Sequence, residues 1–368
     1  MNGSSGQKCP RHALGQALFP GTLSRERKRS DRSEQPLLLL VVHMSGDRNA
    51  ESPAIRESVV EALTVSKREM DILGWFEWPT VIGLIVPEIP ASDLAGTRQR
   101  LDACVRRELA SRLDAETVAG VSMRFHVYPE PRRAGEGEPW PVDPILYPEL
   151  RSRRRGSRAD EAIRRGLDII GSLTLLAVLS PLLLSIAALV KLTSRGPVLF
   201  RQVRIGQMMQ PFTILKFRTM HCNAGHALHH QFVSSFIKAS GQVPGPGTEG
   251  LFKLTNDPRV TPVGRILRKT SLDELPQLWN VLRGAMSLVG PRPPLPYELE
   301  QYKPWHRRRV LESKPGITGL WQVAGRSRTT FEGMVRLDLR HARTRSLWAD
   351  LKILLATPAA VISGKGAC

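Results

Sequence analysis

Apolar positions along the chain change period several times, and each change marks an element. Leu37–His43 is a short apolar run carrying the β-branched pair Val41-Val42, which predicts a buried strand. Residues 53–71 have helical spacing, and Gly74–Trp78 and Thr80–Pro87 read as two strands with Trp78-Pro79 near the break between them. From Leu94 to Leu113, apolar residues recur at Leu101, Cys104, Val105, Leu109 and Leu113, the steps of three and four of an amphipathic helix. Val121–Tyr128 is a final strand of alternating character. The order βαββαβ predicts a ferredoxin-like α/β domain over residues 35–130. Residues 1–34 are polar, lack an apolar h-region before Pro36, and are read as a disordered arm rather than a signal peptide. Residues 131–158 are read as a linker, with Pro and Gly dense from Pro131 to Pro148 and a basic run at Arg151, Arg153, Arg154, Arg155 and Arg158.

The pattern changes again after the linker. From Ile169 to Val190 no residue is charged over 22 positions, and every helical face is apolar, which is long enough for a membrane helix. Pro181 follows Ser180 near the middle and predicts a kink, since proline removes a backbone donor and clashes with the preceding turn. The Ser180 hydroxyl can meet a carbonyl freed there. Arg164 and Arg165 precede the run, and Lys191 and Arg195 follow it, so the positive-inside rule favours cytoplasmic ends on both sides. These features describe a re-entrant helix over about residues 167–192, the alternative being an ordinary kinked span. Leu351–Ile362, interrupted by Lys352 and Pro358, reads as an amphipathic or interfacial element.

Composition narrows the function classes. A chain of 368 residues, 41% hydrophobic, has room for two cores. Lys and Arg outnumber Asp and Glu 53 to 34, a net charge of +19, so the partner is anionic: nucleic acid, anionic lipid or a phosphate-bearing substrate. Aromatic residues are only 6%, and the cations gather beside the apolar run instead of among stacking rings, which argues against nucleic acid. Cys9, Cys104, Cys222 and Cys368 form no CxxC pair, so neither a disulfide framework nor a zinc site is expected.

Three blocks carry candidate chemistry. The first runs Gly196-Pro197-Val198-Leu199-Phe200-Arg201-Gln202-Val203-Arg204-Ile205-Gly206 and then Phe212–Met220, predicting short strands edged by Lys216 and Arg218, with a plain hairpin bearing solvated charges as the simpler alternative. The second holds Arg265, Arg268 and Lys269, then Thr270-Ser271-Leu272-Asp273-Glu274-Leu275-Pro276-Gln277-Leu278, and ends in Gly290-Pro291-Arg292-Pro293. Asp273-Glu274 suits a helix start, either through a Ser271/Glu274 capping box or with Asp273 as N-cap and Pro276 in the first turn. A carboxylate at such a start can also hold Mg²⁺ beside a diphosphate. The third block, Lys314-Pro315-Gly316-Ile317-Thr318-Gly319-Leu320-Trp321-Gln322 through Arg326, offers glycines for close phosphate approach and Arg326 as a fork for phosphate oxygens, or an ordinary turn with a solvated arginine.

Together the three blocks, in this order and spacing over roughly residues 160–362, resemble the bacterial sugar transferase family, the monotopic polyprenyl-phosphate phosphoglycosyl transferases. The resemblance implies a mixed, largely helical, membrane-associated catalytic domain over 159–368, on the cytoplasmic face of the bacterial inner membrane, and it favours the re-entrant reading of the Ser180-Pro181 helix. It implies that Asp273 attacks a UDP-sugar, releases UMP and passes the phosphosugar to polyprenyl phosphate, in the undecaprenyl form, to initiate an exopolysaccharide, capsule or O-antigen glycan. Glu274 then assists Asp273, Mg²⁺ sits on Asp273, and Arg268, Arg292, Lys216, Arg218 and Arg326 hold phosphates. The runner-up is a membrane-anchored scaffold or signalling protein. A homodimer stays open, and the sugar is not specified.

Two departures stand out. Leu337-Asp338-Leu339 is followed by Arg340-His341 where the family often has aromatics. The amino-terminal domain resembles diguanylate-cyclase-type domains in element order only, because its hairpin reads Gly74-Trp75-Phe76-Glu77-Trp78 and lacks their catalytic signature; a regulatory or interaction role is expected of it. His226, His229 and His230 are read as a solvated loop instead of a metal site.

Overall fold

The computed structural model describes residues 13–44, 52–130, 140, 142–150, 158–221, 237, 259–324 and 329–362. The chain divides into one unit of residues 1–132 with 141–156, and another of residues 133–140 with 157–368. Arg326, the three loop histidines and the basic run 151–157 lie outside the described residues.

In the first unit, α1 (Phe19–Ser33) precedes β1 (Leu37–Met44), α2 (Pro53–Ser66), β2 (Ile72–Glu77), β3 (Val81–Val86), α3 (Leu94–Arg112), α4 (Ala115–Ala119) and β4 (Val121–Tyr128). The four strands form one antiparallel sheet in the order β2-β3-β1-β4. Side chains alternate across a strand, so Leu38, Leu40 and Val42 share a face. That face packs with Val59 and Leu63 of α2 and Leu101, Val105 and Leu109 of α3.

Part of the expected disordered arm is a helix. Phe19 and Leu23 of α1 are fully buried. The glycine pair Gly74 and Gly83, directly opposite in register, makes room for Phe19: a Cβ at either position would stand 2.3 or 2.8 Å from the ring. The sequence hides this helix because its apolar stripe is only two residues wide among charges. Arg27 completes the same face, buried, paired with Glu149 and lying 4.4 Å from the centre of the Tyr147 ring. The expected linker is corrected in the same way. Leu146 and Tyr147 are buried in the first unit, and the Tyr147 hydroxyl donates to Glu130 Oε2 at 3.0 Å.

The second unit begins with α5 (Arg158–Val178) and α6 (Ser180–Thr193), bent by 63° at Leu179. The Ser180 hydroxyl donates to the Ala177 carbonyl at 2.8 Å, so the break expected at Ser180-Pro181 is present with its local compensation. Among the described residues no single helix is long and apolar enough to cross a membrane; this bent pair reaches that length only together. Its apolar side chains are conspicuously uncovered, with Ile170 66%, Leu184 71% and Leu192 84% exposed. Burial of such a surface in lipid is favourable where exposure to water is not.

The rest of the unit holds this bent pair. β5 (Leu199–Ile205) and β6 (Pro211–Phe217) form an antiparallel hairpin. They are followed by α7 (Pro262–Thr270), α8 (Gln277–Leu282), β7 (Ser287–Val289), α9 (Pro296–Glu300), α10 (Pro304–Glu312), β8 (Gly316–Thr318), α11 (Leu320–Ala324), α12 (Phe331–Arg343) and α13 (Leu347–Ile362). β7 and β8 pair in parallel. Arg165 of α5 donates to the Val281 and Leu282 carbonyls, both at 2.6 Å, capping α8. Asp168 Oδ1 accepts from the Ser287 hydroxyl at 3.0 Å and the Leu288 N–H at 2.9 Å. Ile186 and Val190 of α6 pack with Phe217 and Leu267.

At the far end, Asp350 of α13 pairs with Arg164, with His341 of α12 at 2.8 Å and with Arg345 at 3.7 Å. Burial, aided by the charges of Arg345 and Arg164, brings the His341 pKa down from 6.5 to about 4. The folded imidazole therefore stays neutral where an unfolded one takes up a proton. The stability His341 supports is present above pH 6.5 and is lost as pH falls toward 4. Thermal melts between pH 7 and 4.5 should show an acid-side fall that is shallower in His341→Asn; equal slopes would refute it. In the first unit, Phe19→Ala should cost about 3–5 kcal/mol, seen as an earlier first transition in calorimetry of the whole chain.

Candidate active site

Helix α7 ends at Ser271, which takes a left-handed backbone at φ 56° and turns the chain into a 3-10 turn over Leu272–Glu274. Neither capping arrangement expected for Asp273-Glu274 forms. Ser271 makes no side-chain cap, and α8 starts after Pro276, whose ring occupies the N-cap position. The two carboxylates are thus held in a tight turn between two helices. Leu272 packs on the cluster formed by Ile186 and Val190 of α6 with Leu267 of α7, which sets the turn against the bent pair. Asp273 is buried, 7% exposed.

Glu274 faces a small, half-open cleft lined by Arg204, Lys216, Gln277, Arg292 and Gln322 among others. Lys216 Nζ donates to Glu274 Oε1 at 2.7 Å, and Arg292 Nη1 lies 3.7 Å from the same oxygen. Each cation is brought in by backbone that other side chains fix. Asn280 of α8 bridges to β6, accepting from the Leu215 N–H at 3.0 Å and donating to the Thr213 carbonyl at 2.7 Å, which sets Lys216 opposite the turn. The Gly290–Pro294 loop is locked from three sides. Gly290 N–H donates to the Thr318 carbonyl at 2.8 Å, Ile205 N–H to Pro294 at 3.0 Å, and Arg204 Nη1 to Pro293 at 2.9 Å. Gly316 must be glycine here, because a Cβ would stand 2.0 Å from the Gly290 nitrogen. Behind the loop, buried Arg309 donates to the Arg292 carbonyl at 3.1 Å and pairs with buried Asp338 at 2.7 Å.

The cleft is strongly electropositive. Burial lowers the Lys216 pKa, a shift the Glu274 charge opposes. Burial, with the nearby charge of Arg292, brings Arg204 down to about 10. Burial raises the pKa of Glu298, which sits in the field of Arg204 and Arg292. Three cations thus share one cleft with a single lining carboxylate among the described residues, an arrangement suited to a ligand of more than one negative charge.

The structure brings together Lys216, Glu274 and Arg292, with Asp273 adjacent in the turn. Of the other expected phosphate ligands, the described residues include Arg268 and Arg218, and neither joins them. Arg268 sits on the last turn of α7, partly exposed and outside the cleft lining. Arg218 is a correction: β6 ends at Phe217, and the Arg218 side chain returns to the end of α6, donating to Pro197, to Val190 at 3.2 Å and to the Ser194 carbonyl at 2.8 Å. Its donors cap a helix C-terminus instead of facing the cleft. Sequence reasoning missed Arg204, Gln277, Asn280 and Gln322, all inside the quoted blocks. Burial distinguishes Arg204, Gln277 and Asn280, and polar residues in a short strand or turn give no sequence signal of it; Gln322 is half-buried and joins the lining through the fold alone.

The model of the family described as bacterial sugar transferase matches residues 159–364. The chain belongs to the bacterial sugar transferase family. The span of this sugar transferase match covers the bent helix pair, the cleft and α13. Similar proteins include the exopolysaccharide production protein ExoY of Rhizobium meliloti, 43% identical over 55% of this chain and 87% of that protein. A UDP-glucose:undecaprenyl-phosphate glucose-1-phosphate transferase of Caulobacter vibrioides is 44% identical over 53% of this chain and 67% of its own length. The galactosyl transferase CpsE of Streptococcus agalactiae is 41% identical over 55% of this chain. The chain spans less than half the length of several such relatives, 43% of the Streptococcus protein among them. Matches among solved structures include a DGC protein from Thermotoga maritima, 16% identical with a TM-score of 0.25, covering 32% of this chain and 83% of that one.

The support behind Arg292 is open to test in this sugar transferase unit. Asp338→Ala leaves Arg309 buried without its counter-charge and should cost about 3–5 kcal/mol. Arg309→Met added to Asp338→Leu should recover most of that in the same denaturant melts; no recovery would mean that the pair is not the source of the loss.

Proposed function

We propose that this chain is a phosphoglycosyl transferase that moves a sugar 1-phosphate from a UDP-sugar to undecaprenyl phosphate, releasing UMP. The observation that carries the proposal is the Asp273-Glu274 turn beside the Lys216–Arg292 cleft, seated against the bent apolar helix. Names of related proteins, which include both a glucose-1-phosphate transferase and a galactosyl transferase, support the donor class without choosing the sugar.

In this reading an Asp273 carboxylate oxygen attacks the β-phosphorus of the donor. The bond from that phosphorus to the bridging oxygen breaks, UMP departs with the oxygen, and the phosphosugar stays on Asp273. A phosphate oxygen of the polyprenyl acceptor then attacks the same phosphorus and frees the carboxylate. Lys216, Arg204 and Arg292 hold the phosphate oxygens and stabilise charge as the bridging bond breaks. Glu274 orients the turn and handles protons beside Asp273.

Mg²⁺ fits the donor set. No group of three metal-ligating side chains exists among the described residues. A hard ion held by one carboxylate and substrate phosphates needs none, and Asp273 supplies that carboxylate. Bound there, Mg²⁺ would neutralise diphosphate charge.

We place the catalytic unit on the cytoplasmic face of the inner membrane, with α5 and α6 re-entering from one side. The βαββαβ order and the β2-β3-β1-β4 sheet support a ferredoxin-like fold for the first unit, and we assign it a regulatory or interaction role.

Purified chain in nanodiscs, given Mg²⁺, undecaprenyl phosphate and a panel of UDP-sugars, should release UMP from one of them. Asp273→Asn should lower the rate by on the order of a thousandfold or more while staying folded. No UMP from any donor would favour a membrane-anchored scaffold. With the native cysteines replaced, Gly166→Cys and Thr193→Cys should label from the same side of a sealed vesicle; opposite sides would establish a span.

A further inference from the structure

Glu274 fills the place where the cleft should receive an anion. One oxygen, Oε1, meets both Lys216 Nζ at 2.7 Å and Arg292 Nη1 at 3.7 Å. Its side chain is 18% exposed, against 14% for Lys216 and 24% for Arg292. Arg204 adds a third, buried cation to the same lining. A carboxylate oxygen and a phosphate oxygen ask for the same donors at the same distances.

We infer that Glu274 is a resident counter-ion that the donor's diphosphate displaces from Lys216 and Arg292. The inference rests on the transferase reading and deepens it at the same site. Without donor, the carboxylate neutralises a cleft whose cations would otherwise repel one another in a poorly solvated space. A diphosphate brings more charge than one carboxylate and takes both cations. Glu274 is then released from the cleft next to Asp273, so its carboxylate becomes available beside the nucleophile only when the donor is seated.

A residue that simply helps bind a ligand weakens binding when removed; a displaced counter-ion does the opposite. If the cleft is open in about a tenth of molecules, removing the competitor tightens apparent binding by about tenfold. The experiment measures UDP and uridine binding to the full chain in nanodiscs by calorimetry, in EDTA so that no metal contributes. Glu274→Gln should bind UDP about tenfold more tightly than wild type, bind uridine unchanged, and turn over more slowly. In a Lys216→Met background the same substitution should give no gain, because the cation competed for is gone. Asp273→Asn should gain less than about threefold, since loss of a nearby charge alone acts weakly at a partly solvated site.

Unchanged or weaker UDP binding by a folded Glu274→Gln variant overturns the inference. So does an equal gain in Asp273→Asn, which would mark a general charge effect, or a gain that persists without Lys216. UMP release by the wild type alongside any of these results leaves the transferase reading standing while the counter-ion role falls. Absence of both UMP release and UDP binding in every form removes the transferase reading itself.

Discussion

Arg204, Lys216 and Arg292 line one cleft, where burial and the Arg292 charge both work against the charged forms of Arg204 and Lys216. Much of the surrounding structure answers that repulsion. Glu274 meets two of the cations directly. Gln202 takes two donors of Arg204 at 3.0 and 2.8 Å, and the Pro293 carbonyl takes another. Glu298 lies buried in the field of Arg204, Arg292 and Arg309. Fixed donors of this kind stabilise developing charge without reorganising when it appears, which is the main resource for phosphoryl transfer.

The same elements that hold the cations also hold the bent helix. β6 carries Lys216 toward the cleft, and Arg218 just beyond it turns back to cap α6. α8 receives its cap from Arg165 of α5 and gives Asn280 to β6. Asp168 joins α5 to β7, whose loop leads to Arg292. A shift of the apolar helices relative to the body would therefore disturb the cations. The turn that carries Asp273 and Glu274 is thereby tied to the same body as the apolar helices.

Much of this was legible in the sequence where physics is local. The 22-residue uncharged run and Ser180-Pro181 announced the bent pair, and period-two and period-3.6 patterns announced β1–β4 with α2 and α3. Lys216, Glu274 and Arg292 were found by motif and do meet. What stayed hidden is set by long-range burial. α1 has two buried apolar residues and looks like an arm until the Gly74/Gly83 slot that receives Phe19 is seen. Arg204 and Arg218 sit in similar polar contexts, and only the end of β6 decides that Arg218 leaves the cleft while Arg204 stays.

The failed capping expectation bears on chemistry. A helix N-cap would have spent the Asp273 carboxylate on backbone N–H groups, lowering its basicity and fixing it along a helix axis. Ser271, by accepting a left-handed conformation, ends α7 early and leaves Asp273 in a short turn whose backbone bonds run to neighbouring carbonyls, with Glu274 N–H on Ser271 at 3.2 Å and Leu275 N–H on Leu272 at 3.3 Å. The strain of a non-glycine residue at positive φ is about 1 kcal/mol, a small cost beside a carboxylate that is not committed as a helix cap. The turn also explains why two adjacent carboxylates can differ: consecutive residues of a 3-10 turn point about a third of a revolution apart. Glu274 is thereby aimed at the cations, while Asp273 stays off the cleft lining yet close enough for its charge to act on Lys216.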